Sequence, residues 1–212
     1  GDHELIKAFQ EDKDIHLATA AEVYGVSEKE VSDEMRSAAK AVNFGIIYGI
    51  SDFGLAKQLK IKRTEAAKYI ERYFAKHTGV KAFIEKTIKE AKEYEYVTTL
   101  LGRKRPMPDI NSPHGGLRQA AERMAINTPV QGTAADMIKV AMVKIFNKLR
   151  STNHDSRLIL QVHDELVFEC PPDEIDSVRK IVEEEMVKAI ELKVPVKVDI
   201  GTGKSWAEAE SA

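Results

Sequence analysis

The sequence predicts an α+β fold: a mainly helical stretch, then helices beside a small antiparallel sheet. Two observations predict it. Helical patterns fill most of residues 2–127. Two short apolar runs, 158–162 and 166–168, then flank a His-Asp-Glu junction, as in two buried strands joined tightly. Helices grouped ahead of strands mark α+β organisation.

Residues 2–11 and 15–24 read as short helices. Ser27, with Glu30 three residues on, is a capping box, expected to open a helix running to about Tyr48. Ser51 caps a short helix to Leu59, and Thr64 one to about Lys76. Gly79 interrupts the pattern before helix resumes to about Tyr94. Residues 96–107 suit a hairpin bent at Gly102, and 106–116 a loop. Helix from 117 to about 127 is expected to break near Pro129 and resume from about 132 to 149. There Ala134, Ile138, Ala141, Ile145 and Leu149 make one apolar stripe. After the carboxylate hairpin, Pro171 and Pro172 open an acidic helix to about 191, and residues 194–200 read as a final strand. The helical part is thus roughly 14–127 and the mixed part 128–212.

With 212 residues, 43% hydrophobic and 31% charged, the chain can bury a real core. No apolar run reaches the length of a membrane span, and no signal peptide opens the sequence. The single cysteine, Cys170, excludes an intrachain disulfide and reads as a small core residue. These features point to a reducing cytoplasm with no membrane partner. Net charge is −2, which argues mildly against nucleic acid, but its distribution reverses that. Residues 36–76 and 97–150 each carry nine Lys/Arg against three Asp/Glu, whereas 173–191 carry three against seven. A basic face is compatible with that pattern.

Asp164 and Glu165 sit side by side at the tip of the expected hairpin, next to His163. Adjacent carboxylates repel, and a divalent cation relieves the repulsion; Mg²⁺ is commonly held by one or two carboxylates plus substrate phosphates. The plainer alternative is a turn-forming Asp. Arg36, Lys40, Phe44 and Tyr48, spaced by four, form a slowly drifting row on one helix face. Like charges four apart cost a few tenths of a kcal/mol unless an anion lies between them. A triphosphate is such an anion, and flat rings suit a base or sugar. A solvated basic edge with two core aromatics explains the same row. Arg123, Asn127 and Gln131 surround Pro129; donors of these types can test minor-groove acceptors at any sequence, or merely cap a broken helix. His16, near a helix start, is by itself an ordinary surface residue.

The runs Arg36-Ser-Ala-Ala-Lys40-Ala-Val-Asn-Phe44-Gly-Ile-Ile-Tyr48-Gly49, Arg123-Met-Ala-Ile-Asn127-Thr-Pro-Val-Gln131 and Gln161-Val-His163-Asp164-Glu165 resemble, in order, motifs of the family A DNA polymerases of bacteria. The resemblance implies template-directed transfer of a deoxynucleotide to a primer 3′ end, with two Mg²⁺ per complete active site. It implies fingers over 14–127, the C-terminal part of the palm over 128–212, and a palm-to-fingers segment over 1–13. By resemblance His16, Arg36 and Lys40 hold the incoming dNTP, and Lys40 assists departure of pyrophosphate. Phe44 lies against the sugar, Tyr48 beside the templating base, and Gly49 admits the template. Arg123, Asn127, Gln131 and His163 contact primer–template DNA, and Asp164 and Glu165 serve the metals.

The family's upstream Asp-Tyr-Ser-Gln-Ile-Glu motif is absent, and Gly1-Asp2-His3-Glu4 resembles the family sequence shortly beyond that motif. The expectation is a fragment whose thumb and remaining palm lie elsewhere, active only in a complete enzyme associated with the bacterial nucleoid. Two alternatives stand beside it: a catalytically silent DNA- or dNTP-binding fragment, and a Mg²⁺-dependent nuclease using Asp164 and Glu165. The nuclease leaves the basic-aromatic row unexplained.

Overall fold

The computed structural model describes residues 1–210 and divides into two compact units, Gly1–Val130 and Gln131–Ala212. In the first, helices α1 (His3–Gln10), α2 (Ile15–Tyr24), α3 (Asp33–Ile47), α4 (Asp52–Leu59), α5 (Arg63–Lys76) and α6 (Thr78–Tyr94) precede a hairpin of β1 (Tyr96–Thr98) and β2 (Lys104–Pro106). Helix α7 (Gly115–Ser151) runs from the first unit into the second. The second continues with β3 (Arg157–Val162), β4 (Glu165–Glu169), α8 (Ile175–Val187) and α9 (Trp206–Glu210). Both sheets are two-stranded antiparallel pairs, as the α+β expectation required.

The first unit has two cores. Val42, Ile46, Leu55, Ala66 and Tyr73 join α3, α4 and α5. Ala91, Val97, Met107, Ile110, Ala121 and Ala125 seat the β1–β2 hairpin between α6 and the start of α7. In the second unit Ala141, Ile145 and Leu149 of α7 meet Val178 and Val182 of α8, with Leu166 and Phe168 of β4 packed against them. This is the predicted apolar stripe from Ala141 onward, but Ala134 is exposed and Ile138 only half-buried.

Several boundaries differ from the sequence reading. The Ser27–Glu30 capping box forms, yet it opens only a single 3₁₀ turn, Glu28–Glu30. Ser32 then starts α3 afresh, its hydroxyl accepting the Met35 N–H at 3.3 Å. A cap satisfies orphan donors wherever a turn starts; it does not set how far the helix extends. Helix α5 opens after Lys62, whose N–H is accepted by the Glu65 carboxylate at 3.1 Å, rather than at Thr64. Gly79 lies inside the first turn of α6, and the break falls at His77. A Cβ on Gly79 would come within 2.5 Å of the Asp2 Cα, so this glycine exists for close approach.

Helix α7 passes straight through Pro129. Proline inside a helix costs about 3 kcal/mol. Burial of Ala121, Ala125 and Ile126 before it and of Ala141, Ile145 and Leu149 after it offsets that local penalty. The hairpin strands are not buried as expected. β3 is mostly exposed, and a bulge between Leu158 and Leu160 leaves Ile159 and Leu160 facing outward at 58% and 43% exposure. The acidic helix spans 175–187, short of 191, and residues 194–200 form no strand. A strand exists only by pairing, and β3 and β4 pair solely with each other among the described residues.

Candidate functional site

The first constellation is built on α2 and α3. Asp14 caps α2, accepting the N–H groups of His16 at 2.9 Å and Leu17 at 3.0 Å. Its second oxygen accepts Arg36 Nε at 2.6 Å, which fixes the guanidinium at the head of the row. Burial pushes the Asp14 carboxyl upward, but Arg36 and the two N–H groups outweigh it and hold it below its usual value. Lys40 follows one turn along, exposed. Phe44 stacks on Tyr48 with ring centroids 6.1 Å apart, and the His16 ring lies 5.7 Å from Phe44. Phe44 remains 41% exposed, too open for a core aromatic. His16, Arg36, Lys40, Phe44 and Tyr48 are therefore gathered at one place.

Burial first, then the charges of Arg36 and Lys40, lower the His16 pKa, against the opposing pull of Asp14. The ring is thereby kept neutral at physiological pH.

Asn43 was not singled out from sequence, yet it joins these helices. Its amide nitrogen lies 3.1 Å from His16 Nδ1 and 3.0 Å from Thr19 Oγ1. The available signal was an amide within the otherwise apolar stripe of Ala39, Val42 and Ile46.

The row ends in a Schellman motif. Gly49 N–H donates to the Ile46 carbonyl at 3.0 Å and Ile50 N–H to that of Gly45 at 2.8 Å, with Gly49 at φ +76°. A Cβ there would lie 3.3 Å from Ile126 Cδ1 and 3.6 Å from Arg123 Cγ, so Gly49 sits against α7 beside Arg123. Four residues on from Arg123, Asn127 has its Oδ1 buried without a hydrogen-bond partner. Thr128 donates to the Met124 carbonyl at 2.7 Å and accepts Arg105 Nη1 at 3.1 Å, tying the β1–β2 hairpin to this stretch. Gln131, exposed, opens the second unit. The expectation that these three flank a broken helix is replaced by a four-residue spacing along one continuous helix.

The last constellation is the β3–β4 turn. Val162 pairs with Glu165, leaving His163 and Asp164 as a two-residue connection. His163 takes φ +51°, a region that disfavours side chains. Gln161 Nε2 donates to the His163 carbonyl at 2.6 Å and braces the turn, a role sequence reasoning missed. His163, Asp164 and Glu165 are all exposed. Among the described residues no three His, Cys, Asp or Glu side chains gather as a metal-holding group. Two open carboxylates at a turn fit an ion shared with substrate phosphates rather than a closed protein cage.

A helical unit carrying a basic-aromatic row, followed by a carboxylate-tipped hairpin beside an acidic helix, has the make-up of a nucleic-acid polymerase domain. The family model for DNA polymerase family A matches residues 1–208, and the chain belongs to that family. It is 51% identical over 209 residues to DNA polymerase I of Caldicellulosiruptor bescii, covering 99% of this chain and 25% of that protein. It is 50% identical to DNA polymerase I of Bacillus subtilis, again over 99% of this chain and 24% of that protein. Among solved structures it resembles the POL domain of Pol1 from M. smegmatis in complex with DNA primer-template and dNTP. That match has a TM-score of 0.92 and 41% identity, covering 99% of this chain and 37% of that one. The chain thus spans about a quarter of the length of the curated relatives it matches. Enzymes of this family are generally metal dependent.

Proposed function

We propose that the chain is the nucleotide- and template-handling part of a DNA-directed DNA polymerase. The reaction is attack of a primer 3′ hydroxyl on the α-phosphorus of a dNTP, with release of pyrophosphate. The observation that carries this reading is the row of Arg36, Lys40, Phe44 and Tyr48, with His16 seated against Phe44. Charge followed by flat apolar surface is the order in which a nucleotide presents triphosphate, sugar and base. Arg36, aimed by Asp14, and Lys40 neutralise the triphosphate. Lys40 also stabilises, or protonates, the departing pyrophosphate. His16 donates to a phosphate oxygen. Phe44 lies against the sugar and Tyr48 beside the templating base.

Gly49, Arg123, Asn127 and Gln131 handle primer–template DNA, and His163 the primer end. Asp164, with Glu165 in support, contributes to holding Mg²⁺, two ions per complete site, which supply Lewis-acid stabilisation of the transferring phosphoryl group. Residues 14–127 would be the fingers, 128–212 the C-terminal part of the palm, and 1–13 the segment linking palm to fingers. Exposed Val143, Phe146, Ile159 and Leu160 offer apolar surface for the thumb-bearing remainder of a polymerase. A cytoplasmic, nucleoid-associated setting suits this work.

A second reading, a silent DNA- or dNTP-binding module, is favoured by the lack of a three-ligand metal group among the described residues. Both readings are tested by Lys40→Ala. dNTP affinity is expected to fall about tenfold or more, with primer–template affinity changed far less. Equal loss of both would make the row a general DNA-contacting face. Transfer by the chain joined to its polymerase remainder separates enzyme from silent module.

A further inference from the structure

We propose that Asn43 is a positioning residue for the nucleotide site: it holds the His16 ring in the tautomer with its proton on Nε2, so that the ring offers an N–H donor to a triphosphate oxygen. The proposal rests on the nucleotide reading given above. Asn43 is 4% exposed, in the buried stripe of α3. An amide taken into such a place must find partners for both ends.

The partners decide which end faces which way. Asn43 Nδ2 lies 3.4 Å from the Ile15 carbonyl oxygen, which only accepts. The Thr19 hydroxyl donates its single proton to that same carbonyl at 2.7 Å. Its oxygen touches both ends of the amide, accepting Nδ2 at 3.0 Å and lying 3.1 Å from Oδ1, so it holds the amide in place while the Ile15 carbonyl decides which end faces it. An amide oxygen at the Nδ2 position would face the Ile15 oxygen directly, so the nitrogen belongs there. The same nitrogen lies 3.1 Å from His16 Nδ1. His16 Nδ1 must therefore accept. A neutral imidazole has one accepting and one donating nitrogen, so the proton is on Nε2.

The charged groups around the ring agree with this. Arg36 and Lys40 from α3 disfavour a second proton on His16, and Asp14, which favours one, is engaged by Arg36. The site then meets a triphosphate with two cations and one directional neutral donor. Asn43 need not touch the nucleotide; it acts through His16.

The test uses the whole chain, ¹⁵N-labelled at histidine, with His16→Gln to assign the signal. At pH 7.5 the parent should give a pyridine-like Nδ1 and a pyrrole-like Nε2. Asn43→Asp presents an acceptor to Nδ1 and should exchange the two signals or make both pyrrole-like. Titration with dATP should then show about tenfold weaker binding for Asn43→Asp, and no further loss when it is added to His16→Gln. That second arm separates action through His16 from simple repulsion by the new carboxylate. A parent ring protonated on Nδ1 would overturn the inference, whether or not any variant folds. So would a dATP loss from Asn43→Asp that persists undiminished without His16. If Asn43→Asp does not fold, Thr19→Val, which removes the hydroxyl that holds both ends of the amide, should free it to turn and mix the two tautomers; an unchanged ring would overturn the inference. The expected tautomer in a parent that binds no dATP would sink the nucleotide reading and leave the tautomer assignment standing.

Discussion

His163 pays for its position at the hairpin tip with a φ of +51°. A side chain in that region costs about 1–2 kcal/mol, which glycine avoids. His163→Gly should therefore raise the urea midpoint by an amount equivalent to about 1 kcal/mol and weaken primer–template binding. Lower stability in that variant would mean the ring contributes more by packing than it costs by strain. Acidity should act at the other constellation. The folded His16 pKa lies below its ordinary 6.5, so below that pH the unfolded chain binds a proton that the folded one resists. Asp14, held below 3.8, contributes stability that is present above that value and lost as pH falls through its folded pKa. Both effects have the same sign: stability falls on acidification, first from about pH 6.5 and again below 3.8. Urea midpoints at pH 7.5 and 5.5 should differ in the parent, and His16→Gln should reduce that difference. No reduction would mean another histidine governs the window. Arg36, Lys40, Phe44 and Tyr48 were legible in the sequence because four-residue spacing on a helix fixes a shared face. Asn43 was not, because its meaning depends on Thr19 and His16, which are distant in sequence and meet only when α2 lies on α3.

Elements were legible where local chemistry decides them. Ser51 and the Gly102 bend begin or turn an element where turn and capping chemistry locate them. They were misread where packing overrides local preference. Pro129 breaks an isolated helix, but α7 has buried faces on both sides of it. Gly79 seemed to interrupt a helix, whereas its bare Cα admits the Asp2 backbone. The Asp2 carboxylate there accepts Leu5 N–H at 3.0 Å and Gly79 N–H at 2.9 Å, and lies 3.4 Å from His77 Nδ1. Burial raises its pKa, and these partners together lower it further than burial raises it. Helix α1, which has no buried residue of its own, is therefore held largely through its cap. Gly79→Ala should release α1 by steric exclusion, at a cost of about 2–3 kcal/mol. Limited proteolysis would detect it as early cleavage within residues 3–13, with α5 and α6 still protected. Unchanged protection of that segment would mean α1 is anchored by something other than the Asp2 cap.

At the scale of the molecule, the candidate site residues are divided between two units, and the inventory proposed for catalysis is uneven. The groups proposed to handle nucleotide are numerous: two cations, a histidine and two stacked rings. The groups proposed to hold metal are few: Asp164 and Glu165 at one turn, with no three-ligand cluster among the described residues. Two-metal transfer needs carboxylates bracketing both the attacking and the leaving oxygen. A single exposed pair at one turn can share one ion with a triphosphate, but among the described residues no third ligand gathers with it to fix a second beside the primer hydroxyl. The chain on its own should therefore bind dNTP in the presence of Mg²⁺ and fail to extend a primer. Its hold on primer–template should be weak and strongly salt-dependent, since it rests on scattered basic residues. In the complete polymerase, Asp164→Asn should reduce the rate of transfer by several orders of magnitude while duplex affinity changes little. The decisive measurement is primer extension by the purified chain with Mg²⁺ and all four dNTPs. Template-dependent extension that vanished in Asp164→Asn would mean that a carboxylate within these residues completes the second metal's shell, and the division of labour between the two units would be wrong.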